Sequence, residues 1–571
     1  MSLKYGIMNL PLCVNSTSTN QNCIHDLCES EQDLLDKGFV TYIYYNLKKK
    51  TVYIGETKQF WVRHDQHINE SHFNDGEFTN CLIVYNASFF TESHIKDLEF
   101  MIINHMLAET DETKFKIYNR NNGQPQPQYN EHHIVEQEVF VKLWENELYN
   151  QGLVHTNDLE VIRQKIIFKY SPFTQLSKQQ SDIEERVIQN PRNKYLIEGG
   201  AGTGKTVLMM SLMYRLINEY PDMKIGLITT SNLLDKFNRI LKQLNLRNKL
   251  TFVRAGKAIE EARKSNSHYD IILVDEAHRL QRYYPKGHPE SKKHFDKSQP
   301  EVNEIHMLHE ITDGLVLFYD QFQSIRPQDV LRANFIKLTK GYVKESLSQQ
   351  YRIKGDGSFS GNDFINGILY ALDIIDEIKF NPRVFAYRNK DSYFGIVDSI
   401  QDLFKYIGEI ELRHANTTNR VIAGYTREWI SNPKSTQNKG VDKFNLPYDW
   451  VENESMWRWN NQYEKWVEIE NSKNEVGSIH AIQGADIDHV GIIIGKDIAV
   501  GENGKLRAIK ENYKDTGGIP LLNEYNEQEL TSFILNIYYV LLTRGISGCR
   551  VYFEDSKVRD YFEGKLASIV I

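Results

Sequence analysis

Residues 195–212 read YLIEGGAGTGKTVLMMSL, with the spacing GxxxxGKT. Gly199, Gly202 and Gly204 let backbone N–H groups turn inward on a polyphosphate, and the apolar-periodic helix that follows adds its positive N-terminal end. Lys205 then reaches the β- and γ-phosphates, and Thr206 offers a hydroxyl to Mg²⁺. A glycine-rich turn that only joins a strand to a helix is the bland alternative. The full pattern in strand-loop-helix context outweighs it, so the stretch reads as a nucleotide site. A β-rich run at 270–274 ends in Asp275-Glu276-Ala277-His278, which supplies a metal-holding aspartate and a glutamate able to activate water. Residues 315–319 form another buried strand closing on Asp320, with Gln323 placed to sense a γ-phosphate. Gln180, just before the glycine loop, is suited to reading an adenine edge, although alone it is a polar helix cap. Arg352 in Gln350-Tyr351-Arg352 and Arg544 in Leu541-Leu542-Thr543-Arg544-Gly545 each end an ordered segment, as charge-stabilising fingers do.

A second group of reactive residues lies near the start. Residues 39–47 and 51–55 are β-rich runs around the turn Lys48-Lys49-Lys50, a hairpin with Tyr42 and Tyr44 on one arm and Tyr53 on the other. Gly55 is expected to end the second strand. Residues 60–67 read as a helix with Arg63 and His67 at i and i+4, on one face. Tyrosine, arginine and histidine gathered in this way can hold a phosphate and move protons.

Tyr42-Ile43-Tyr44 and Tyr53-Ile54-Gly55, then Thr57, Arg63 and His67, resemble the signature of GIY-YIG endonucleases. The resemblance implies that Arg63 orients a phosphate, that Tyr44 with Tyr53 helps activate water, and that His67 belongs to the same catalytic set. It further implies that Glu99, in HIKDLEFMIIN, holds a single divalent metal and that Asn119, in IYNRNNG, matches the family's closing asparagine. Two departures stand out: Tyr42 occupies the place of a glycine, and Glu99 lies farther from Asn119 than is common. Taken alone, Glu99 would be a solvated helix residue.

The nucleotide motifs, together with His480-Ala481-Ile482-Gln483-Gly484 ahead of a buried strand, make seven pieces in an order that resembles superfamily-one helicases. That resemblance implies two RecA-like lobes with ATP between them and single-stranded nucleic acid across their tops. Thr206 and Asp275 would hold Mg²⁺, Glu276 would activate water, and Arg352 and Arg544 would act from the second lobe. The His-x-x-Gln-Gly form lacks the lysine of the UvrD-type group and is similar to RecD-like and Schlafen-associated helicase domains.

These sites require an α/β chain: a small α/β GIY-YIG nuclease domain followed by two RecA-like parallel-sheet lobes. The expected divisions are an N-terminal extension at 1–36, the nuclease domain at 37–130 and a helical connector at 131–172. The ATP-binding lobe takes 173–345, and the second lobe takes 346–571 with a tryptophan-rich insert at about 432–474. Trp450, Trp457, Trp459 and Trp466 in that insert are either a stacking platform for bases or the small core it needs. Lys286, Lys292, Lys293 and Lys297, in a loop at 283–301, either touch phosphates or are solvated.

A length of 571 residues calls for several domains, and 40% apolar with 25% charged residues is ordinary for globular chains. A net charge of −8 confines any nucleic-acid contact to local patches. No run reaches a membrane span and no long apolar leader is visible, so a cytoplasmic, membrane-free protein is expected. Five cysteines make no disulfide framework, and Cys13, Cys23, His25 and Cys28 match no standard zinc spacing. The expected activity is that of an ATP-driven DNA helicase or translocase fused to a Mg²⁺-dependent endonuclease, with Mn²⁺ as an alternative at the nuclease site. Its partners would be single-stranded DNA on the motor and duplex or branched DNA at the nuclease, with RNA and any partner protein left open. Analogy with other nuclease-motor fusions points to bacterial restriction or phage defence. The alternatives are a repair nuclease-helicase and an ATP-dependent nucleic-acid sensor whose nuclease-like domain does not cut.

Overall fold

The structure is a computed structural model. It describes residues 5–12, 29–68, 73, 77–119, 131–164, 168, 170, 172, 174, 176–229, 231–243, 246–282, 303–355, 357–387, 389–414, 417–442, 445–460, 466–482, 485, 487–515 and 526–567. Cys13, Cys23, His25, Cys28, the lysines of the 283–301 loop, Gln483 and Gly484 lie outside these residues. The chain divides into two compact units: Met1–Ser181 with Met210–Tyr214 and Arg239–Leu246, and Asp182–Met209 with Arg215–Asn238 and Arg247–Ile571.

The first unit is built on five strands, β1 (Gly6–Pro11), β2 (Val40–Asn46), β3 (Thr51–Thr57), β4 (Asn80–Tyr85) and β5 (Lys116–Ile117), in the order β1-β4-β2-β3-β5. The β2–β3 hairpin turns at its lysines because Asn46 Oδ1 accepts the N–H groups of Lys48 and Lys49 and Lys50 adopts φ 55°. β3 does not stop at Gly55. It continues to Thr57 because its full length pairs antiparallel with β2, Tyr42 facing Gly55 and Val40 facing Thr57. Strand alternation sends Ile43, Tyr45, Val52 and Ile54 to one face and Tyr42 and Tyr44 to the other. The first face packs against helix α2 (Glu92–Ala108), and the second against Phe60 of helix α1 (Phe60–Ile68) and Phe78. Helical turns at Val135–Phe140 and Leu143–Leu148 add Val139, Phe140, Leu143 and Trp144 to the core under α2.

The second unit holds two largely parallel sheets. The first contains β6 (Lys194–Gly199), β7 (Ile225–Ile228), β8 (Thr251–Val253), β9 (Tyr269–Val274), β10 (Thr312–Tyr319) and β11 (Val343–Leu347) in the order β11-β6-β10-β9-β7-β8. Leu196, Ile272, Val274, Leu315 and Leu317 bury one of its faces, as continuous apolar runs covered on both sides require. Helix α3 (Lys205–Glu219) follows β6 directly.

The other sheet comprises β12 (Phe394–Ile396), β13 (Asn419–Ala423), β14 (Trp450–Glu452), β15 (Ser455–Trp459), β16 (Glu475–Ser478), β17 (Ile487–Ile494) and, beyond the hairpin of β18 (Ile498–Val500) and β19 (Leu506–Ala508), β20 (Gly545–Phe553). Its order is β12-β20-β17-β13-β16-β15-β14, and only the β14–β15 pair is antiparallel. Helix α4 (Glu527–Leu542) packs on this core. Trp450, Trp459 and Trp466 are fully buried in the same core, and Trp457 stacks on Phe404 at 4.9 Å. The insert's tryptophans are therefore its core, and a stacking platform for bases is ruled out for these rings. Among the described residues, no helix is long and apolar enough to cross a membrane.

Candidate functional site

At the end of β6 the chain turns through a loop in which Gly202 and Gly204 take φ of 75° and 78°, backbone that L-residues with side chains rarely adopt. Gly204 thereby becomes the residue before α3, and the first N–H groups of that helix face the loop. Lys205 Nζ donates to the carbonyls of Gly199 and Gly200 at 2.6 and 2.9 Å and lies 3.8 Å from Asp320 Oδ2. Thr206 Oγ1 stands 3.3 Å from each oxygen of Asp275. Burial and the neighbouring Glu276 push the Asp275 carboxyl up to about 7. Two hard oxygen donors short of positive charge fit a Mg²⁺ ion.

Glu276 is the second residue past the β9 strand and sits at φ 51°, ψ 46°, a left-handed conformation for a residue with a side chain. Strain of about 1–3 kcal/mol at such a position is characteristic of sites where geometry is fixed for chemistry. Burial opposes ionisation of Glu276, but His278, Lys205 and Arg544 outweigh it and hold the carboxyl well below its usual range. His278 Nε2 lies 3.0 Å from Glu276 Oε2. Gln323 Nε2 donates to Asp320 Oδ2 at 2.7 Å, so this amide is tied to the carboxylate beside Lys205. Arg544 is buried, and Tyr351 N–H donates to Gly202 C=O at 2.8 Å, bringing the Arg352 segment against the phosphate loop. Gln180 belongs to the other compact unit, where its Oε1 accepts the Ser177 N–H at 2.8 Å.

Sequence reasoning named His278 and Asp320 without giving either a role, and passed over Tyr539. His278 neighbours Glu276, Asp320 faces Lys205, and the Tyr539 hydroxyl on α4 takes the Ala201 N–H at 3.4 Å. His278 and Asp320 each follow a buried strand directly or within four residues, which is the signal that marks them. Tyr539 shows none, because it is one aromatic in an apolar helix. The His480 turn is also wired in: Nδ1 takes a hydrogen bond from Arg326 Nη2 at 2.9 Å, so Nε2 donates to Asp515 Oδ2 at 2.7 Å.

In the first unit the reactive residues meet at one end of the β2–β3 hairpin. The Tyr42 hydroxyl is 2.8 Å from His67 Nε2, and Arg63, which donates to Gln66 Oε1 at 3.0 Å, lies near enough to the Tyr42 and Tyr53 hydroxyls to feel both electrostatically. Burial works against the charge on Arg63, yet these two hydroxyls raise its pKa. Glu99 comes close enough to Tyr42 and Arg63 to act on both electrostatically. Burial pushes the Glu99 carboxyl up to about 8, with Glu56 adding to the effect and Arg63 and Lys96 opposing it. A cation would relieve that pair. Among the described residues no group of three or more His, Cys, Asp or Glu could hold a metal, so an ion here would rely on Glu99 and keep most of its waters.

Two expected members take other positions. Tyr44 is fully buried among Phe60, Phe73 and Phe78, and its hydroxyl bonds His64 Nδ1 at 2.7 Å. Its ring packs beside Tyr42 and His67, with centroids 5.2 and 5.9 Å away, so what sets it apart is its hydroxyl, which meets His64 where that of Tyr42 meets His67. Asn119 clamps β3: its Oδ1 accepts the Ile54 N–H at 3.0 Å and its Nδ2 donates to the Ile54 carbonyl. With both ends of the carboxamide engaged by backbone, Asn119 positions Tyr53 and has no reactive role in this geometry. Sequence reasoning missed Glu56 and His64, whose signals were their places beside Gly55 and Arg63.

A family model described as "Schlafen group 3, DNA/RNA helicase domain" matches residues 192–555, more than half of the chain. An uncharacterized protein of Saccharomyces cerevisiae, YPL245W, is 25% identical over 427 residues, covering 67% of this chain and 90% of that one. Among solved structures, a Pif1 helicase from Candida albicans is 13% identical with a TM-score of 0.30, covering 68% of this chain and 99% of that one. The DUF1998 helicase MrfA bound to DNA is 8% identical with a TM-score of 0.33, covering 70% of this chain and 53% of that one. TM-scores this low carry no argument, and the family rests on the sequence model. Over the stretch that contains the phosphate loop, the Asp275-Glu276 pair and both arginines, the chain belongs to the Schlafen group 3 DNA/RNA helicase domain family.

Proposed function

We propose that this protein is an ATP-driven DNA helicase or translocase that also carries a metal-dependent endonuclease site. The observation that supports the motor most strongly is Thr206 beside Asp275 under a phosphate loop, with Glu276 held ionised by His278, Lys205 and Arg544. Lys205 would meet the β- and γ-phosphates, and Thr206 and Asp275 are the residues that would hold Mg²⁺. Glu276 draws a proton from the attacking water, and its depressed pKa keeps it in the basic form. Arg544 and Arg352 meet the charge that develops on the transferring phosphoryl group. Gln323 reports the γ-phosphate to Asp320. Bound Mg²⁺ would supply charge neutralisation at the phosphates.

For the nuclease, Arg63 engages the scissile phosphate, Tyr53 and His67 orient and deprotonate water, and Glu99 is the residue that would hold a Mg²⁺ or Mn²⁺ ion. The ion would stabilise the leaving oxygen when bound. Duplex or branched DNA is the expected substrate there, and single-stranded DNA the track for the motor. RNA is the second candidate track, favoured by the "DNA/RNA" scope of the family model. Phage defence and DNA repair call for the same chemistry, and no residue separates them. The test is ATP turnover and strand cleavage by the purified full chain across single- and double-stranded DNA and RNA. Turnover stimulated by nucleic acid together with metal-dependent cuts supports both halves. Stimulated turnover without cuts leaves a motor whose tyrosine-arginine site only binds.

A further inference from the structure

We propose that Tyr42, which stands where the GIY-YIG signature has glycine, is a positioning residue for strand cleavage: its hydroxyl holds the His67 imidazole in its working orientation beside Arg63. The hydroxyl of Tyr44, the signature's own tyrosine, is taken by His64 and does not share this role. This rests on the nuclease reading above.

Tyr42 and Tyr44 are two residues apart on β2 and leave the same face of the sheet, so sequence position alone would make them equivalent. What stands across from each on β3 separates them. Tyr44 meets Tyr53, is walled in by Phe60, Phe73 and Phe78, and gives its hydroxyl to His64. Tyr42 meets Gly55, and its ring lies over that residue so closely that a Cβ there would come within 2.3 Å of Cζ and the hydroxyl oxygen. Only a residue without a side chain leaves that space. The ring therefore crosses the strand and delivers its hydroxyl 2.8 Å from His67 Nε2, with Arg63 close enough to act on it electrostatically. The group that would move a proton is held by this hydroxyl, and the group that would engage a phosphate lies in its field. Glycine in the signature position would leave both without it.

The test compares cleavage of a short fluorescent DNA duplex in Mg²⁺ by the full-length parent, Tyr42→Phe, Tyr44→Phe, Gly55→Ala and Glu99→Ala. ATP turnover in each protein reports that the chain is folded. Tyr42→Phe keeps the ring over Gly55 and removes only the hydroxyl. It should lower kcat by about 10²-fold, the scale of a small misorientation of reacting groups, with KM nearly unchanged. Gly55→Ala should reproduce that loss by displacing the ring, and Tyr44→Phe should stay close to the parent. Parental kcat in Tyr42→Phe, or an equal loss in Tyr44→Phe, overturns the assignment while Glu99→Ala remains inactive. A parent that does not cut, or a Glu99→Ala protein that cuts like the parent, removes the nuclease reading itself and this inference with it.

Discussion

The motor site and the tyrosine-arginine site each place two acidic residues close together, and they charge them in opposite ways. At the phosphate loop, Glu276 is ringed by His278, Lys205 and Arg544 and stays ionised despite burial. At the hairpin, Glu99 has Glu56 on one side and only partial relief from Arg63 and Lys96, so burial keeps its proton on up to about pH 8. A base that must accept a proton from water is best kept charged in advance. A carboxylate meant for a cation can wait protonated, because the ion itself displaces the proton. The contrast gives the two sites different sensitivities: the phosphate-loop site to loss of its cations, the tyrosine-arginine site to pH and metal.

The sharpest way to break this contrast is to remove the lysine. Lys205→Ala should bring ATP turnover to background in a chain that still folds, since the ammonium contacts only loop carbonyls and Asp320. Glu276→Gln should still bind ATP but stall, read as nucleotide binding without phosphate release. Next in size, Arg544→Ala should cut turnover by about 10³-fold with little loss of nucleotide affinity. Equal losses in both would make Arg544 an ordinary binding contact.

How far these sites were legible in the sequence follows from what builds each one. The phosphate loop is made by backbone whose φ angles demand glycine and by the two residues next to it, so spacing along the chain was enough to find it. The acid pair after β9, and Arg544 directly before β20, were read the same way, as chemistry at strand ends. Family membership follows the same ordered pieces, including the His480 turn, whose form had suggested a Schlafen-associated domain. The hairpin was legible as strands and turn, but not in the direction of its hydroxyls. Whether the Tyr42 or the Tyr44 hydroxyl meets His67 depends on Gly55 and Tyr53 across the sheet, a cross-strand fact that no spacing on one strand encodes. Likewise Asn119 belongs with Ile54 only once β5 has been laid beside β3. Tryptophans in a polar stretch allowed two readings because composition does not reveal which side of a small sheet they face.

That last point yields a stability prediction outside both sites. Trp459→Ala removes a fully buried ring from the second lobe and should destabilise the protein by about 3–5 kcal/mol, measured by denaturant unfolding. A fold of unchanged stability with weakened nucleic-acid binding would restore the stacking alternative.

The smallest expected effect sharpens the charge contrast. Cation binding at Glu99 must compete with a proton below about pH 8, so apparent Mg²⁺ affinity should rise by roughly tenfold per pH unit up to that point and then level off. The same raised pKa works against the fold. The native state holds this proton more tightly than the unfolded chain, whose value is near 4.5, so stability should decline as pH rises from there toward about 8. Glu99→Gln should flatten both dependences, followed by metal titration and by thermal unfolding across pH.

The central claim is that one chain carries two separable chemistries, and the most direct measurement is cleavage of a short duplex in Mg²⁺ without ATP, set beside ATP turnover on single-stranded DNA. Lys205→Ala is expected to cut the duplex at the parental rate while hydrolysing no ATP, and Glu99→Ala to hydrolyse ATP at the parental rate while leaving the duplex whole. Parental cutting by Glu99→Ala, or loss of both activities in either variant with the fold intact, would contradict it.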